Sequence, residues 1–137
     1  MIEYIINERL KTIIYRNNTT EISDKSMVFV IKTLCYDHLL SYEGYKKAVK
    51  TKLGYYYKIP LYLDMQTQLI PIKRIKDFDN IWINLPAIKD IKNNDTFVCI
   101  NFYSGKTLHL KIEYKTLIKQ IEQLNQIRIF VSKHFHF

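Results

Sequence analysis

The spacing of hydrophobic and polar residues predicts short strands at the start of this chain, followed by a helix. Two runs rich in β-branched residues, Ile2–Ile6 and Leu10–Tyr15, flank Asn7-Glu8 and predict a hairpin. The continuous apolar run Met27–Ile31 is typical of a buried strand. Residues 32–40 are ambiguous, and a short helix is favoured because their apolar side chains recur at helical spacing.

The stretch from Ser41 to Leu53 has the pattern of an amphipathic helix. Its aromatic and aliphatic side chains share one face at helical spacing, and they are Tyr42, Tyr45, Val49 and Leu53. A neighbouring face carries Lys46, Lys47 and Lys50. Gly54 follows directly and fits a helix C-cap. We therefore expect a helix that docks its apolar face on a core and leaves its lysines in water.

The second half of the chain alternates predicted strands with turns. The predicted strands are Tyr55–Leu63, in which Pro60 indicates an edge or a bulge, and Gln68–Ile72, Ile81–Leu85, Thr96–Phe102 and Thr107–Ile112. The last two flank Tyr103–Lys106, which predicts a hairpin with Gly105 at a positive φ.

The C-terminal part changes to a helical period. Tyr114–Ile127 predicts an amphipathic helix, whereas the apolar segment 128–137 is open to three interpretations: a short strand, a helix extension, or the stub of something longer. Many strands with two or three helices predict an α+β fold, mainly antiparallel, with a basic helix near 42–53 and a C-terminal helix near 114–127. We expect one domain over residues 1–127 and a short tail over 128–137.

Length and composition fit one globular domain in the cytoplasm. A chain of 137 residues can build one core, and its 47% apolar content argues against disorder. No run approaches the roughly 18 apolar residues of a membrane span, and the N-terminus does not have the pattern of a signal peptide. Cys35 and Cys99 are expected as reduced core thiols, although sequence positions alone leave a disulfide between them open.

The net charge of +8 is concentrated in about a quarter of the chain. Residues 1–40 carry five basic and five acidic residues, whereas residues 41–76 carry eight basic and two acidic residues, a net charge of +6. The abundance of Ile, Lys, Asn and Tyr is typical of an AT-rich genome and accounts for part of the lysine surplus, but not for its concentration. A localised positive field suits a polyanion: DNA, RNA or an anionic membrane.

Nucleotide-binding and nucleophilic sites have little support in the sequence. Three glycines leave no nucleotide-binding loop, and no Cys/His group has zinc spacing. Nucleophilic pairs are conceivable at Cys35–His38 and at Cys99–His109, but no residue pattern supplies an orienting group or an oxyanion site.

Metal-dependent chemistry has weak candidates. Asp95 followed by Glu113-Tyr114-Lys115 matches the D…E-x-K order of metal-dependent nucleases only loosely. His134 and His136 are more typical of a frayed end than of a metal site. We therefore expect a protein that is not an enzyme and that has no cofactor and no metal.

Nucleic acid is the partner that the charge pattern favours. The sequence has no helix-turn-helix, zinc finger or basic zipper signature, so another geometry is needed, such as basic side chains in a narrow AT-rich minor groove. Trp82 could stack on a base, but in I-W-I-N-L it is expected in the core. The residues that we expect to contact DNA are Ser41, Tyr42, Lys46, Lys47, Lys50, Lys52, Lys73 and Arg74.

Four stretches, in order along the chain, resemble the ComK family of competence transcription factors. The first is similar to the family's C-x-x-x-G-S-S-x-x-G-R-K segment, and it consists of Cys35, Ser41-Tyr42-Glu43-Gly44 and Lys46. The others are Ile59-Pro60-Leu61 with Asp64 and Ile70-Pro71, then Asn80-Ile81-Trp82-Ile83-Asn84, and then Phe102–Thr107 followed by Tyr114 and the closing helix. The chain departs from the family's Gly-Ser at Leu39-Leu40 and from its Arg at Tyr45.

The resemblance implies a sequence-specific activator of transcription. It implies recognition of paired A-rich and T-rich boxes on double-stranded DNA, largely through the minor groove, by a dimer or a higher homo-oligomer. It also implies control of DNA-uptake and recombination genes, and an adaptor that delivers the protein to a Clp protease. Because Tyr45 replaces the family's arginine, it implies one phosphate or groove contact fewer.

Two other functions stay open from the sequence. A truncated paralogue that acts as a protein-interaction or regulatory module would dimerise and bind little DNA. A peripheral membrane protein would use the basic helix and the Phe-rich tail, an alternative that we consider weaker than DNA binding.

Overall fold

The fold is α+β and mainly antiparallel, in a computed structural model that describes residues 1–134. Its helices are α1 (Met27–Asp37), α2 (Tyr42–Leu53) and α3 (Tyr114–His134). Its strands are β1 (Ile2–Glu8), β2 (Lys11–Arg16), β3 (Thr20–Ser23), β4 (Leu61–Asp64), β5 (Thr67–Pro71), β6 (Ile81–Asn84), β7 (Ile88–Asn94), β8 (Phe97–Phe102) and β9 (Thr107–Leu110). The predicted fold class, the basic helix and the C-terminal helix are confirmed.

A six-stranded sheet forms the middle layer of the molecule. Its strand order is β3-β2-β1-β6-β5-β4, and a separate three-stranded sheet has the order β7-β8-β9. Successive residues of the central strands point to opposite faces, so Leu69 and Trp82 pack beneath α1 and α2, whereas Ile70 and Ile83 face the small sheet and α3. Because the central strands are covered on both faces, Leu69–Ile72 and Ile81–Ile83 are continuous apolar runs.

The predicted strand at Met27–Ile31 is wrong, since these residues begin α1. Ser26 caps the helix by accepting a hydrogen bond from the Phe29 N–H at 3.2 Å. The buried residues of α1 are Met27, Val30, Ile31 and Cys35, which is helical spacing. A continuous apolar run contains both the strand period and the helix period, so the pattern alone did not separate them.

The predicted strand at Tyr55–Leu63 is largely wrong as well. Only Leu61–Asp64 forms a strand, and the preceding residues run irregularly from the end of α2 to the sheet. Lys58 has a φ of 49°, a left-handed conformation that interrupts an extended strand, and Pro60 has no N–H to donate to a ladder. The consequence is an exposed connecting segment where the sequence predicted a strand.

The two hairpins are confirmed, but one turn lies elsewhere. Gly105 has a φ of 96° in the predicted β8–β9 turn. In the β1–β2 hairpin the turn is Arg9-Leu10, both at positive φ, rather than Asn7-Glu8, which are part of β1. Strand β7 was not predicted, because its residues between the two isoleucines are charged and exposed.

Helix α3 continues beyond the predicted end at Ile127 as far as His134. Ile127 and Val131 pack with Val49 of α2 and with Ile59, and these contacts join α3 to α2. Up to His134, the segment 128–137 is therefore a helix extension, which was one of its three interpretations. His136 lies outside the described residues.

The start of α2 depends on a contact between Ser41 and Gly44. The Ser41 hydroxyl accepts the Gly44 N–H at 3.0 Å as the N-cap. A Cβ added at Gly44 would lie only 2.7 Å from the same oxygen. The serine and the glycine of the family-like segment are thus coupled, because a side chain at position 44 displaces the cap.

A double-mutant cycle should show this coupling in the free energy of unfolding. Ser41→Ala alone should cost about 1 kcal/mol. Gly44→Ala alone should be close to neutral, since the loss of the cap offsets a gain in helix propensity of about 0.5–1 kcal/mol. In the Ser41→Ala background, Gly44→Ala should stabilise by that gain. Urea denaturation of the four proteins measures the cycle, and strictly additive effects would contradict the coupling.

Candidate nucleic-acid interface

Helix α2 is fixed to the sheet by the residue that departs from the family pattern. The Tyr45 hydroxyl donates to the Pro60 carbonyl at 2.8 Å and accepts from the Tyr62 N–H at 2.9 Å. Burial raises the pKa of the Tyr45 hydroxyl, so it stays protonated as a donor. Tyr45 therefore positions α2, and its hydroxyl is engaged within the protein.

Next to α2 lies a basic cleft of about 140 Å³, where three separate segments of the chain meet. Its cations are Lys46 from α2, Lys58 from the connecting segment, and Lys73, Arg74 and Lys76 from the loop between β5 and β6. Five cations around one small recess create a positive potential that favours phosphate groups. We call this recess, with these five residues, the basic cleft.

The inner wall of the basic cleft includes Tyr42 and Trp82. Trp82 is fully buried, as predicted, and its Nε1–H has no hydrogen-bond partner among residues 1–134. Tyr42 is also buried, with 8% of its surface exposed. Both residues contribute to the lining of the cleft.

Two cations of the basic cleft are held by neighbouring aspartates. Lys73 forms an ion pair with Asp79, and Arg74 pairs with Asp77 at 3.2 Å. Hydrogen bonding to the Arg74 guanidinium lowers the pKa of the Asp77 carboxyl, so this pair is charged at neutral pH. These pairs are exposed to solvent, and such pairs contribute little stability.

The loop that carries these cations is fastened by Asn80, whose side chain is fully buried. The Asn80 Oδ1 accepts the Lys73 N–H at 2.7 Å, and the Asn80 Nδ2 donates to the Arg74 carbonyl at 3.1 Å. The backbone of residues 73 and 74 is therefore fixed relative to β6, and both cationic side chains start from a defined position.

Two tyrosines stand beside the basic cleft with their rings in solvent. Tyr56 and Tyr57 are 66% and 62% exposed. The Lys50 ammonium lies 5.2 Å from the centre of the Tyr56 ring, and the Lys58 ammonium lies 5.3 Å from that of Tyr57. These are cation–π contacts, and they link the lysine face of α2 to the cleft.

The structure brings together only part of the predicted DNA-contact set. Tyr42, Lys46, Lys73 and Arg74 line the basic cleft, and Lys50 adjoins it through Tyr56. The hydroxyl of Ser41 is engaged as the N-cap of α2. Lys47 is exposed on a neighbouring face, and Lys52 lies about 200° around the helix from Lys50.

Sequence reasoning missed four residues of this region: Tyr56, Tyr57, Lys58 and Lys76. Both lysines were counted in the charge excess, but their approach to α2 depends on how the connecting segment and the loop fold. The two tyrosines were assigned to a strand in which one of them would be buried. The run Y-Y-Y-K beside a basic helix was the available signal.

The nucleophilic candidate at Cys35 is not supported by its surroundings. Cys35 is fully buried, and burial raises the pKa of its thiol to about 11, so the thiol stays protonated at neutral pH. The His38 ring is engaged elsewhere, with Nδ1 2.8 Å from the Leu34 carbonyl and Nε2 2.8 Å from the Asp64 carboxylate. Cys35 and Cys99 are both free thiols.

The residues of the loose nuclease pattern lie away from the basic cleft. Asp95, Glu113 and Lys115 line one open cleft of about 780 Å³ at the start of α3. Within residues 1–134, no cluster of three or more His, Cys, Asp or Glu side chains is placed to hold a metal ion. Over the same residues, no helix is long and apolar enough to cross a membrane.

Comparisons with known proteins agree with the sequence resemblance. The family model described as ComK protein matches residues 1–136. No curated protein matches the chain. Among solved structures, a LytTr DNA-binding domain from Bacillus cereus is 11% identical, covers 88% of this chain and 80% of its own, and superposes with a TM-score of 0.46. At that score the likeness carries no argument about function.

Proposed function

Because this chain belongs to the ComK family, we propose that it is a DNA-binding transcription regulator without enzymatic activity. The convergence of cations in the basic cleft is the observation that carries this proposal. Lys46, Lys58 and Lys76 come from three segments that are distant in sequence and meet at one recess. Cations held at fixed spacing neutralise adjacent phosphates and release their counterions, which drives binding to DNA.

The proposed duplex site is AT-rich and is read largely through the minor groove. A narrow AT-rich groove concentrates negative potential, and lysine or arginine side chains that enter it gain more than they do along a wide groove. Lys46 and Lys50 lie about one turn apart on α2, where Lys46 lines the basic cleft and Lys50 adjoins it through Tyr56. The finer proposal is a cytoplasmic activator of competence genes that binds as a dimer and is regulated through a Clp protease adaptor.

Binding in the cleft would exchange aspartates for phosphates. Lys73 would exchange its partner Asp79 for a phosphate, and Arg74 would exchange Asp77. Both aspartates lie on the same loop as the two cations. Since solvent-exposed ion pairs contribute little stability, this exchange costs little. The aspartates hold the cations in place until the polyanion arrives.

Loss of the two helix lysines should weaken duplex binding and its salt dependence. Lys46→Ala/Lys50→Ala should lower the slope of log K against log salt by about 2, because about one counterion is released per phosphate contact. Affinity for an A-tract duplex should fall roughly tenfold or more. Gel shifts over a salt series, on an A-tract duplex and a G·C-rich duplex of equal length, measure both quantities and the preference for AT.

A matched pair controls for total charge. Lys89 and Lys92 are exposed on β7, in the layer opposite α2, so Lys89→Ala/Lys92→Ala removes the same two charges elsewhere. This variant should keep the affinity and the salt slope of the wild type. Equal losses in both double variants would mean that only net charge matters, and no loss in Lys46→Ala/Lys50→Ala would remove the proposed interface.

An apolar groove of about 410 Å³ between α2 and α3 favours a second function, a protein-interaction module. Its lining is almost wholly hydrophobic and includes Leu40, Ala48, Leu63, Phe130 and Val131. Apolar grooves of this kind accept a partner's side chains. A non-activating paralogue would use this groove and bind little DNA.

Size-exclusion chromatography separates the two functions. A DNA regulator should elute earlier when an A-tract duplex is added, whereas an interaction module should elute as a dimer with or without DNA. Ala48→Glu places a charge in the groove and should disrupt only the second behaviour.

A further inference from the structure

The connecting segment between α2 and β4 presents two of its three tyrosines, Tyr56 and Tyr57, on an anchored backbone. Gly54 ends α2 with its N–H bonded to the Lys50 carbonyl at 3.0 Å. At the other end, the Lys58 carbonyl accepts from the Gln120 Nε2 at 3.3 Å, and Ile59 is buried. Tyr56 and Tyr57 thus project from a fixed frame, although most of each ring is in solvent.

Exposed aromatic rings on such a frame have no role in the core. Burial would remove apolar ring surface from water and so stabilise the fold, yet both rings stay largely in water beside five cations. Each ring has an ammonium over one face, from Lys50 or Lys58, and Tyr56 and Tyr57 are still 66% and 62% exposed. The arrangement of one ring with one ammonium therefore occurs twice, on consecutive residues.

This repeat matches the covalent repeat of an unpaired polynucleotide strand. A single strand offers base faces that alternate with phosphates, and aromatic rings stack on the bases while cations bind the phosphates. In an intact duplex the base faces are covered by neighbouring base pairs, so exposed rings find nothing to stack on. The ring-and-ammonium repeat is thus better suited to a single strand than to a duplex.

We propose that Tyr56 and Tyr57, with Lys50 and Lys58, form a binding site for single-stranded nucleic acid. Two successive bases stack on the open ring faces, and the two ammoniums contact the flanking phosphates. The same tyrosines line both the basic cleft and a second recess of about 320 Å³ that also includes Gln123. A strand can therefore pass from the basic cleft over the rings into that recess. This activity is additional to duplex binding and does not require it.

The expected contribution of the rings is large enough to measure. Stacking of one base on an aromatic ring strengthens binding by roughly 5- to 150-fold. Tyr56→Ala/Tyr57→Ala should therefore weaken single-strand binding at least tenfold. Tyr56→Phe/Tyr57→Phe keeps both rings and should bind within about threefold of the wild type, because stacking does not need the hydroxyls. The exposed positions make both variants compatible with folding, which thermal melts verify.

The experiment measures fluorescence anisotropy with labelled oligothymidylate and oligouridylate of about twelve nucleotides, and with an A-tract duplex of equal length. A control variant, Tyr36→Ala/Tyr103→Ala, removes two tyrosines that are 63% and 71% exposed on α1 and on the β8–β9 turn. It should bind both oligonucleotides like the wild type. Binding of both oligonucleotides indicates that the sugar is not read, and binding of one alone assigns the site to DNA or to RNA.

Three results would overturn the single-strand site. The first is no anisotropy change with either oligonucleotide at low salt. The second is equal binding by the alanine variant and the wild type. The third is that Tyr56→Ala/Tyr57→Ala weakens binding to the duplex tenfold, as much as it weakens binding to the single strands. The tyrosines would then act by inserting between base pairs of duplex DNA. If the duplex is not bound but the oligonucleotides are, the proposed regulator function fails and the single-strand site stands.

Discussion

Replacing Lys106 by methionine should lower the free energy of unfolding by about 3 kcal/mol, the largest loss expected from any single lysine of this protein. The Lys106 ammonium donates to the Glu3 carboxylate at 2.6 Å and to the carbonyls of Arg16 and Asn17 at 3.0 and 3.3 Å. Only 3% of the Glu3 side chain is exposed. Methionine fills the space of the lysine stem but leaves the carboxylate buried without its cation.

The magnitude lies at the lower end of the range for broken buried pairs. That range is about 3–5 kcal/mol, and 35% of the Lys106 side chain is exposed, so water reaches the site and screens part of the lost attraction. The pair also joins the two sheets, since Lys106 lies in the β8–β9 turn and Glu3 in β1. Its loss therefore loosens the contact between two layers.

Chemical denaturation measures the loss, with two companion variants. Lys111→Met removes an exposed lysine just after β9 and should change stability by less than about 0.5 kcal/mol. Glu3→Gln in the Lys106→Met background removes the orphaned charge and should recover part of the loss. Wild-type stability in Lys106→Met would show that the pair is unimportant.

Local signals predicted α2 and the β8–β9 hairpin because each carries its own boundaries. Gly54 caps the C-terminus of α2 as the sequence indicated, and Gly105 has the positive φ that its turn requires. The N-cap role of Ser41 was not predicted. The failures were segments whose structure is set by distant contacts. Met27–Ile31 is apolar at every position, which suits a strand as well as a helix, and its helical form depends on packing against the sheet together with the Ser26 cap.

The charge count located the cations of the basic cleft but not their geometry. Residues 41–76 hold most of the excess charge, and the basic cleft is built from them. Two of those cations, Arg74 and Lys73, form ion pairs with Asp77 and Asp79, which lie just after residue 76. A sum over a window of sequence treats these charges as free, whereas the fold pairs them. Tertiary contacts decide which lysines converge at the cleft and which ones, such as Lys52, face away from it. The periodicity of the sequence does not predict those contacts.

The family-like motif N-I-W-I-N also acquired a physical meaning only in the structure. Both asparagines are fully buried at opposite ends of β6. Asn84 accepts the Gln68 N–H at 2.7 Å and donates to the carbonyls of Ile2 at 2.6 Å and Gln66 at 2.9 Å. Each asparagine thus forms hydrogen bonds with backbone groups through its side chain. Only Asn80 holds the loop between β5 and β6 that carries Lys73 and Arg74.

Asn80→Ala and Asn84→Ala should therefore separate stability from function. Each removes three hydrogen bonds, and each buried group left without a partner costs about 1–3 kcal/mol. We expect a loss of about 2 kcal/mol at Asn80, where water can reach the freed Lys73 and Arg74 backbone, and of about 3 kcal/mol or more at Asn84, whose partners include the buried Gln68 N–H.

Under conditions in which both variants stay folded, only Asn80→Ala should weaken binding to an A-tract duplex. Its loop no longer holds Lys73 and Arg74 at the basic cleft, so two phosphate contacts must be ordered on binding, and affinity should fall roughly five- to tenfold. Asn84→Ala leaves that loop intact and should bind within about twofold of the wild type.

Circular dichroism defines the range of conditions in which both variants are folded, and gel shifts give the affinities. Equal losses of affinity in the two variants would mean that the loop contributes through general stability, and the basic cleft would then lose Lys73 and Arg74 as DNA contacts.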